Sequence, residues 1–168
     1  MMRALRRSTV AAVAVVLASS AAARADDTIK RPGDHPQYKL EIEPHLDLGY
    51  VQDHGDGAFG FGARFSIILM DPGFVRRIND TVGITFGADF LFYRDNVVDF
   101  PVALQWNFCV ARRWSVFGEP GVVLEAGPGR DNFLWPALWL GGRWHINEDL
   151  ALTMRIGFPM FSIGLSIM

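Results

Sequence analysis

From Tyr38 onward, apolar and polar residues alternate one by one in runs separated by turn residues. No stretch of useful length carries the helical period of 3.6. In the first run Leu40, Ile42, Pro44, Leu46, Leu48 and Tyr50 share a face, against Glu41, Glu43, His45, Asp47 and Gly49. The second sets Phe59, Phe61, Ala63, Phe65 and Ile67 against Gly60, Gly62, Arg64 and Ser66. The third sets Val82, Ile84, Phe86, Ala88, Phe90 and Phe92 against Thr81, Gly83, Thr85, Gly87 and Asp89. The fourth sets Val98, Phe100, Val102, Leu104, Trp106 and Phe108 against Asp99, Ala103, Gln105, Asn107 and Cys109. Four noisier runs follow, around Trp114–Leu124, Leu134–Ile146, Leu150–Phe158 and Phe161–Ile167. The pattern predicts an all-β chain of eight antiparallel strands in an up-and-down barrel.

Alternation alone does not say which face is inside, because a soluble lipocalin-type barrel alternates too. The polar faces are rich in Gly, Ser, Ala and Thr, the small residues a narrow eight-stranded lumen needs. The apolar faces carry large side chains and no charge, whereas a water-facing surface would carry charges. Lipid contact is the economical reading, since a closed barrel satisfies every backbone polar group while its outside meets hydrocarbon. With the first strand running upward, Tyr50, Phe59, Phe92, Phe100, Phe158 and Phe161 fall near the upper rim. Phe108, Trp114 and Trp144 fall near the lower one, as two interfacial girdles would. Pro44, Pro120 and Pro136 occupy lipid-facing strand positions and predict bulges.

The first 25 residues read as an export signal. Arg3, Arg6 and Arg7 precede a short apolar run, and Ala23-Arg24-Ala25 supplies small residues at −3 and −1 before Asp26. The uncharged run from Ser8 to Ala23 is shorter than the ~20 residues of a bilayer helix. Residues 26–37 read as a short, loose polar arm on the periplasmic side, and 38–168 as the barrel. Four of the 16 basic residues lie in the signal and no acidic one does, so the exported chain keeps 12 basic against 18 acidic residues, a net −6. Such a chain, with only Lys30 and Lys39 as lysines, is a poor nucleic-acid binder. Its single cysteine, Cys109, rules out an internal disulfide and any multi-cysteine metal site.

In signal, strand count and alternation, the chain from Tyr38 onward resembles the small eight-stranded outer-membrane barrels of the OmpA and OmpX type. The resemblance implies a location in the outer membrane, lipid as a partner and insertion by the barrel-assembly machinery. It implies no cofactor. Family members close on an aromatic residue where this chain reads Leu165-Ser166-Ile167-Met168. Their outer loops are also long, whereas here Asp53–Gly57, Arg94–Asn96, Gly127–Asn132 and the turn at Pro159 are short, which points away from adhesin or receptor roles.

The inward charges are Glu41, Glu43, Asp47, Asp89, Glu119 and Glu125 against Arg64, Arg143 and Arg155. They suit a paired polar plug better than an ion path, because buried charges need partners and eight strands leave no aqueous channel. Hairpin spacing predicts Arg64 between Asp47 and Asp89, and Glu119 beside Arg143. Tyr93, Phe133, Trp135 and Trp139 point inward toward the upper end, as lumen filler or as a pocket for an apolar ligand of unknown identity, by analogy with OmpW-like barrels. Asp53-His54-Gly55-Asp56-Gly57 describes a hairpin turn better than a cation loop. Ser115, His145 and Glu119 are the residues of a hydrolase triad, placed at the periplasmic end and away from the outer leaflet. The sequence thus favours a non-catalytic membrane barrel, with no catalytic, metal or cofactor residue assigned.

Overall fold

The computed structural model describes residues 28–51, 56–92, 96–127 and 133–168. Eight strands follow in chain order: β1 (Leu40–Val51), β2 (Asp56–Met70), β3 (Asp80–Phe92), β4 (Val97–Ala111), β5 (Trp114–Ala126), β6 (Phe133–His145), β7 (Leu150–Phe158) and β8 (Met160–Ile167). Each pairs antiparallel with its sequence neighbours, and β1 pairs with β8 to close the barrel. The chain enters β1 at the lower end, which also carries the 71–79 connection. β1, β3 and β5 end at the upper rim, where β2, β4 and β6 begin.

The side-chain period of two sends successive residues to opposite faces. Leu46, Leu48, Phe59, Leu134, Leu140 and Ile156 are each more than 60 % exposed, while Glu41, Glu43, Asp47, Arg64, Asp89 and Glu119 are at most 1 % exposed. The polar faces therefore point in and the apolar faces out, the reverse of a soluble lipocalin-type barrel. Outward phenylalanines of β2 and β3 meet across the strands, with Phe59–Phe92 centroids 5.2 Å apart and Phe65–Phe86 5.9 Å apart. At the lower rim Trp114 stacks on Trp144 at 6.5 Å.

Two expectations about this surface are corrected. Val82 sits on the outward parity yet is buried, because the 71–79 connection folds back over the lower end of β3. There Gly73 N–H donates to the Asp80 carbonyl at 2.7 Å and Phe74 packs edge-on against Trp106 at 5.4 Å. The prolines do not create bulges. The register of β1 against β8 is the same on either side of Pro44, and that of β4 against β5 is the same on either side of Pro120. Pro136 pairs with Val122 in unbroken register. A missing N–H removes a ladder hydrogen bond without adding a residue, so pairing is interrupted and then resumes in step. The irregularities that shift register fall at Ile68/Met70 and Cys109/Ala111, both at the lower end.

The described part of the arm is tied down, not loose. Asn79, fully buried, donates through Nδ2 to the Asp34 carbonyl at 3.0 Å and accepts at Oδ1 from Gly33 N–H at 3.2 Å. Its own N–H donates to the Ile29 carbonyl at 2.8 Å. His35, Pro36 and Tyr38 then line, with Cys109 and His145, a lower-mouth cavity of about 10 Å³, room for a single water.

Candidate functional site: the charged lumen

The three inward arginines come from β2, β6 and β7, and each meets a carboxylate. Arg155 is the most engaged. Its Nε lies 2.8 Å from Glu119 Oε2, its Nη2 3.3 Å from Oε1, and its Nη1 donates to Glu43 Oε1. A planar fork of donors suits two carboxylates at once. Glu119 also accepts from Gln105 Nε2 at 2.7 Å, and Gln105 Oε1 accepts from Arg143 Nη2 at 3.2 Å. Arg143 completes the lower end, with Nη2 2.8 Å from Glu41 Oε2 and Nη1 donating to the Tyr38 hydroxyl at 3.1 Å. Burial raises the Tyr38 phenol well above its ordinary pKa, so it stays protonated.

The aromatic ring of Phe117 fills the space between two of these cations, 4.8 Å from the Arg143 guanidinium and 5.0 Å from that of Arg155. It has room because Gly141 stands opposite on β6, where a Cβ would fall 2.1 Å from the ring. Arg64 bridges upward. Its Nη1 is 3.7 Å from Glu119 Oε2, its Nη2 donates to Asp89 Oδ2 at 3.2 Å, and its guanidinium lies 4.6 Å over the Trp139 ring.

Two expected neighbours are not partners. Asp47 lies against His45 and not Arg64, with Oδ1 3.4 Å from Nε2. Glu119 faces Arg155 and not Arg143. The cause is the same in both. Arg64 stands opposite Glu43, and Arg143 opposite Ser115, so each expected carboxylate lies four residues along the strand, about 13 Å away at the backbone. The alternation places Asp99 and Gln105 on the inward face with no role in the network, and gives Tyr38 none. Asp99 could have been found by register, since it stands directly opposite both Asp89 and Glu125.

The three described aromatic candidates do not converge. Tyr93 lies outside the described residues. Phe133 and Trp135 stack at 5.7 Å near the upper rim, with Phe133 exposed. Trp139 is fully buried beneath Arg64, four residues deeper. The Asp53–Gly57 loop falls mostly outside the described residues. Ser115 Oγ and His145 Nε2 approach to 3.4 Å, but His145 Nδ1 has no hydrogen-bond partner, and Glu119 is taken up by arginines and Gln105. The base is thus not oriented by an acid, as a triad requires.

An eight-stranded antiparallel barrel with an apolar outside and a charged, side-chain-filled inside is the architecture of the small outer-membrane barrels. The Yersinia pestis outer membrane protein Ail, whose backbone structure was determined in a phospholipid bilayer nanodisc, is similar in fold, with a TM-score of 0.50 at 10% identity over 78% of this chain and 99% of that one. The designed protein TMB2.3, solved by solution NMR, aligns at a TM-score of 0.47 and 19% identity over 77% of this chain and 92% of its own. No family model and no curated protein matches the chain.

Proposed function

We propose that this protein is an integral outer-membrane barrel with a closed lumen, exported by a signal peptide cleaved after Ala25, and that it serves a structural or interaction role without conducting or catalysing. Its immediate partners are outer-membrane lipid and, during insertion, the barrel-assembly machinery. The observation that carries this reading is the chain of charged contacts spanning the lumen, from Tyr38 and Arg143 through Gln105, Glu119 and Arg155 to Arg64 and Asp89. Opening a path would separate buried ion pairs, each costing several kcal/mol to leave half-paired. The uncharged outer face supports the membrane assignment, and the fold it shares with Ail supports the outer membrane.

The test combines location and conductance. Extraction from outer membranes with detergent, heat-modifiable migration on a gel and an N-terminus at Asp26 are expected, together with no steady conductance in a planar bilayer. Recovery in the soluble periplasmic fraction would overturn the membrane assignment. Stable single-channel steps from the wild type would overturn the closed lumen.

A further inference from the structure

We propose that His45, Asp47 and Asp89 form a buried site for one divalent first-row transition-metal ion, zinc being the expected occupant. His45 Nε2 lies 2.9 Å from Asp89 Oδ1 and 3.4 Å from Asp47 Oδ1, and the three donor atoms all fall within 4.8 Å of one another. Ligands about 2.0–2.1 Å from a tetrahedral centre stand about 3.3 Å apart, and the two separations from His45 Nε2 bracket that value. One imidazole nitrogen with two carboxylate oxygens suits zinc and its neighbours better than calcium or magnesium, which take oxygen sets.

The histidine is already oriented as a ligand. Its Nδ1 is 3.1 Å from the Glu43 carbonyl oxygen. A carbonyl only accepts, so Nδ1 carries a proton and donates it there. In the neutral ring this leaves the Nε2 lone pair facing two carboxylate oxygens, three acceptors with no donor among them. Adding a second proton to the ring would answer only one of the two carboxylates. Asp47 is fully buried, and neither of its oxygens has a hydrogen-bond partner. A dication satisfies all three groups at once. Arg64, donating to Asp89 Oδ2, holds the second oxygen of that carboxylate as an outer-shell partner does.

The fold keeps this spot clear. His45 is flanked in register by Gly62 on β2 and Gly164 on β8. A Cβ on Gly62 would fall 2.2 Å from Asp89 Oδ1 and 2.8 Å from His45 Nε2, within the space the donor atoms share.

The detergent-solubilised protein, stripped with chelator and then titrated with Co²⁺ and Zn²⁺, tests the site. The expected result is one equivalent of Co²⁺ per chain, a ligand-field absorption that Zn²⁺ abolishes, and a higher urea midpoint in the metal-loaded form. Asp47→Asn removes a carboxylate that has no hydrogen-bond partner and is expected to fold, yet to bind about 100-fold more weakly. Arg64→Gln should weaken binding about tenfold through Asp89. Replacing His35, His54 and His145 together should leave the stoichiometry unchanged. Nitrogen-15 spectra of the metal-loaded wild type should show a protonated Nδ1 and an Nε2 without a proton on His45. No stoichiometric uptake by the wild type, uptake unchanged in Asp47→Asn, or a doubly protonated His45 in the loaded sample would each overturn the proposal.

Discussion

In the lower and middle lumen, Arg143 and Arg155 meet Glu41, Glu43 and Glu119, with Gln105 bridging Glu119 to Arg143 and the Tyr38 hydroxyl accepting from Arg143. Toward the upper end, among the described residues, Asp89 meets Arg64, which is shared with Glu119, and His45; Asp47 meets His45, and Asp99 stands opposite Asp89 and Glu125. Both regions are equally dry, and both descend from the same alternating pattern. They differ in charge count and in ion pairing. Glu41, Glu43 and Glu119 each have an arginine nitrogen within 2.8 Å, whereas among the described residues Asp47 and Asp99 have no arginine ion pair. A buried carboxylate contributes through the partners that surround it, and one without them is a cost the rest of the fold must offset. The lower network is a rigid plug. The upper cluster is a place held open.

Removing the centre of the plug should have the largest effect. Arg155→Ala leaves Glu43 and Glu119 buried without their main partner and is expected to cost about 3–5 kcal/mol, read as a lower urea midpoint in detergent. Arg64→Ala should cost clearly less in metal-free protein, since Arg64 makes one hydrogen bond to Asp89 and a longer contact to Glu119. Equal losses for the two would show that the halves do not differ.

An outer-face control comes next. Leu104→Arg sets a charge at mid-height on the lipid side and should cost roughly 2–4 kcal/mol in a bilayer, with a smaller penalty in short-chain micelles. A smaller effect in the bilayer than in the micelle would contradict the face assignment.

Within the plug, Gln105→Leu removes one donor from Glu119 and one acceptor from Arg143, and should cost about 1–3 kcal/mol. The smallest change has the opposite sign. Asp99→Asn lowers the negative charge of the upper cluster without breaking a described ion pair, so the metal-free protein should gain up to about 1 kcal/mol. Urea titration in the presence of chelator measures it, and a loss of stability there would remove the contrast with the lower network.

The strand count, the faces and the neighbour relations were legible in the sequence because period-2 alternation is local and hairpins impose pairing. The inward placement of Glu43, Arg64, Asp89, Glu119, Arg143 and Arg155 follows from parity alone. Which acid meets which base was not legible. Glu119 on β5 reaches past β6 to Arg155 on β7, and Arg155 reaches past β8 to Glu43 on β1. Contacts across a closed lumen depend on strand tilt and on the β1–β8 seam, which no hairpin encodes. Val82 was missed for another reason: its cover is a connection without periodicity. The His45–Asp47–Asp89 grouping was half visible, since two of the three are neighbours in one strand and register supplies the third.

The strand prolines bear on the chain before it is a barrel. On the export route proposed above, the chain would first cross an aqueous compartment with every apolar strand exposed to its own kind. Pro44 in β1, Pro101 in β4, Pro120 in β5 and Pro136 in β6 each lack a donor at a position where a mispaired strand from another copy would seek one. In the closed barrel that gap is tolerated, because register resumes beyond it. In an open, wandering chain it shortens the run over which a wrong partner can zip up. The same four residues that the finished wall accommodates would therefore keep its unfinished pieces apart, and replacing them with valine should raise aggregation in transit more than it changes the stability of the folded protein.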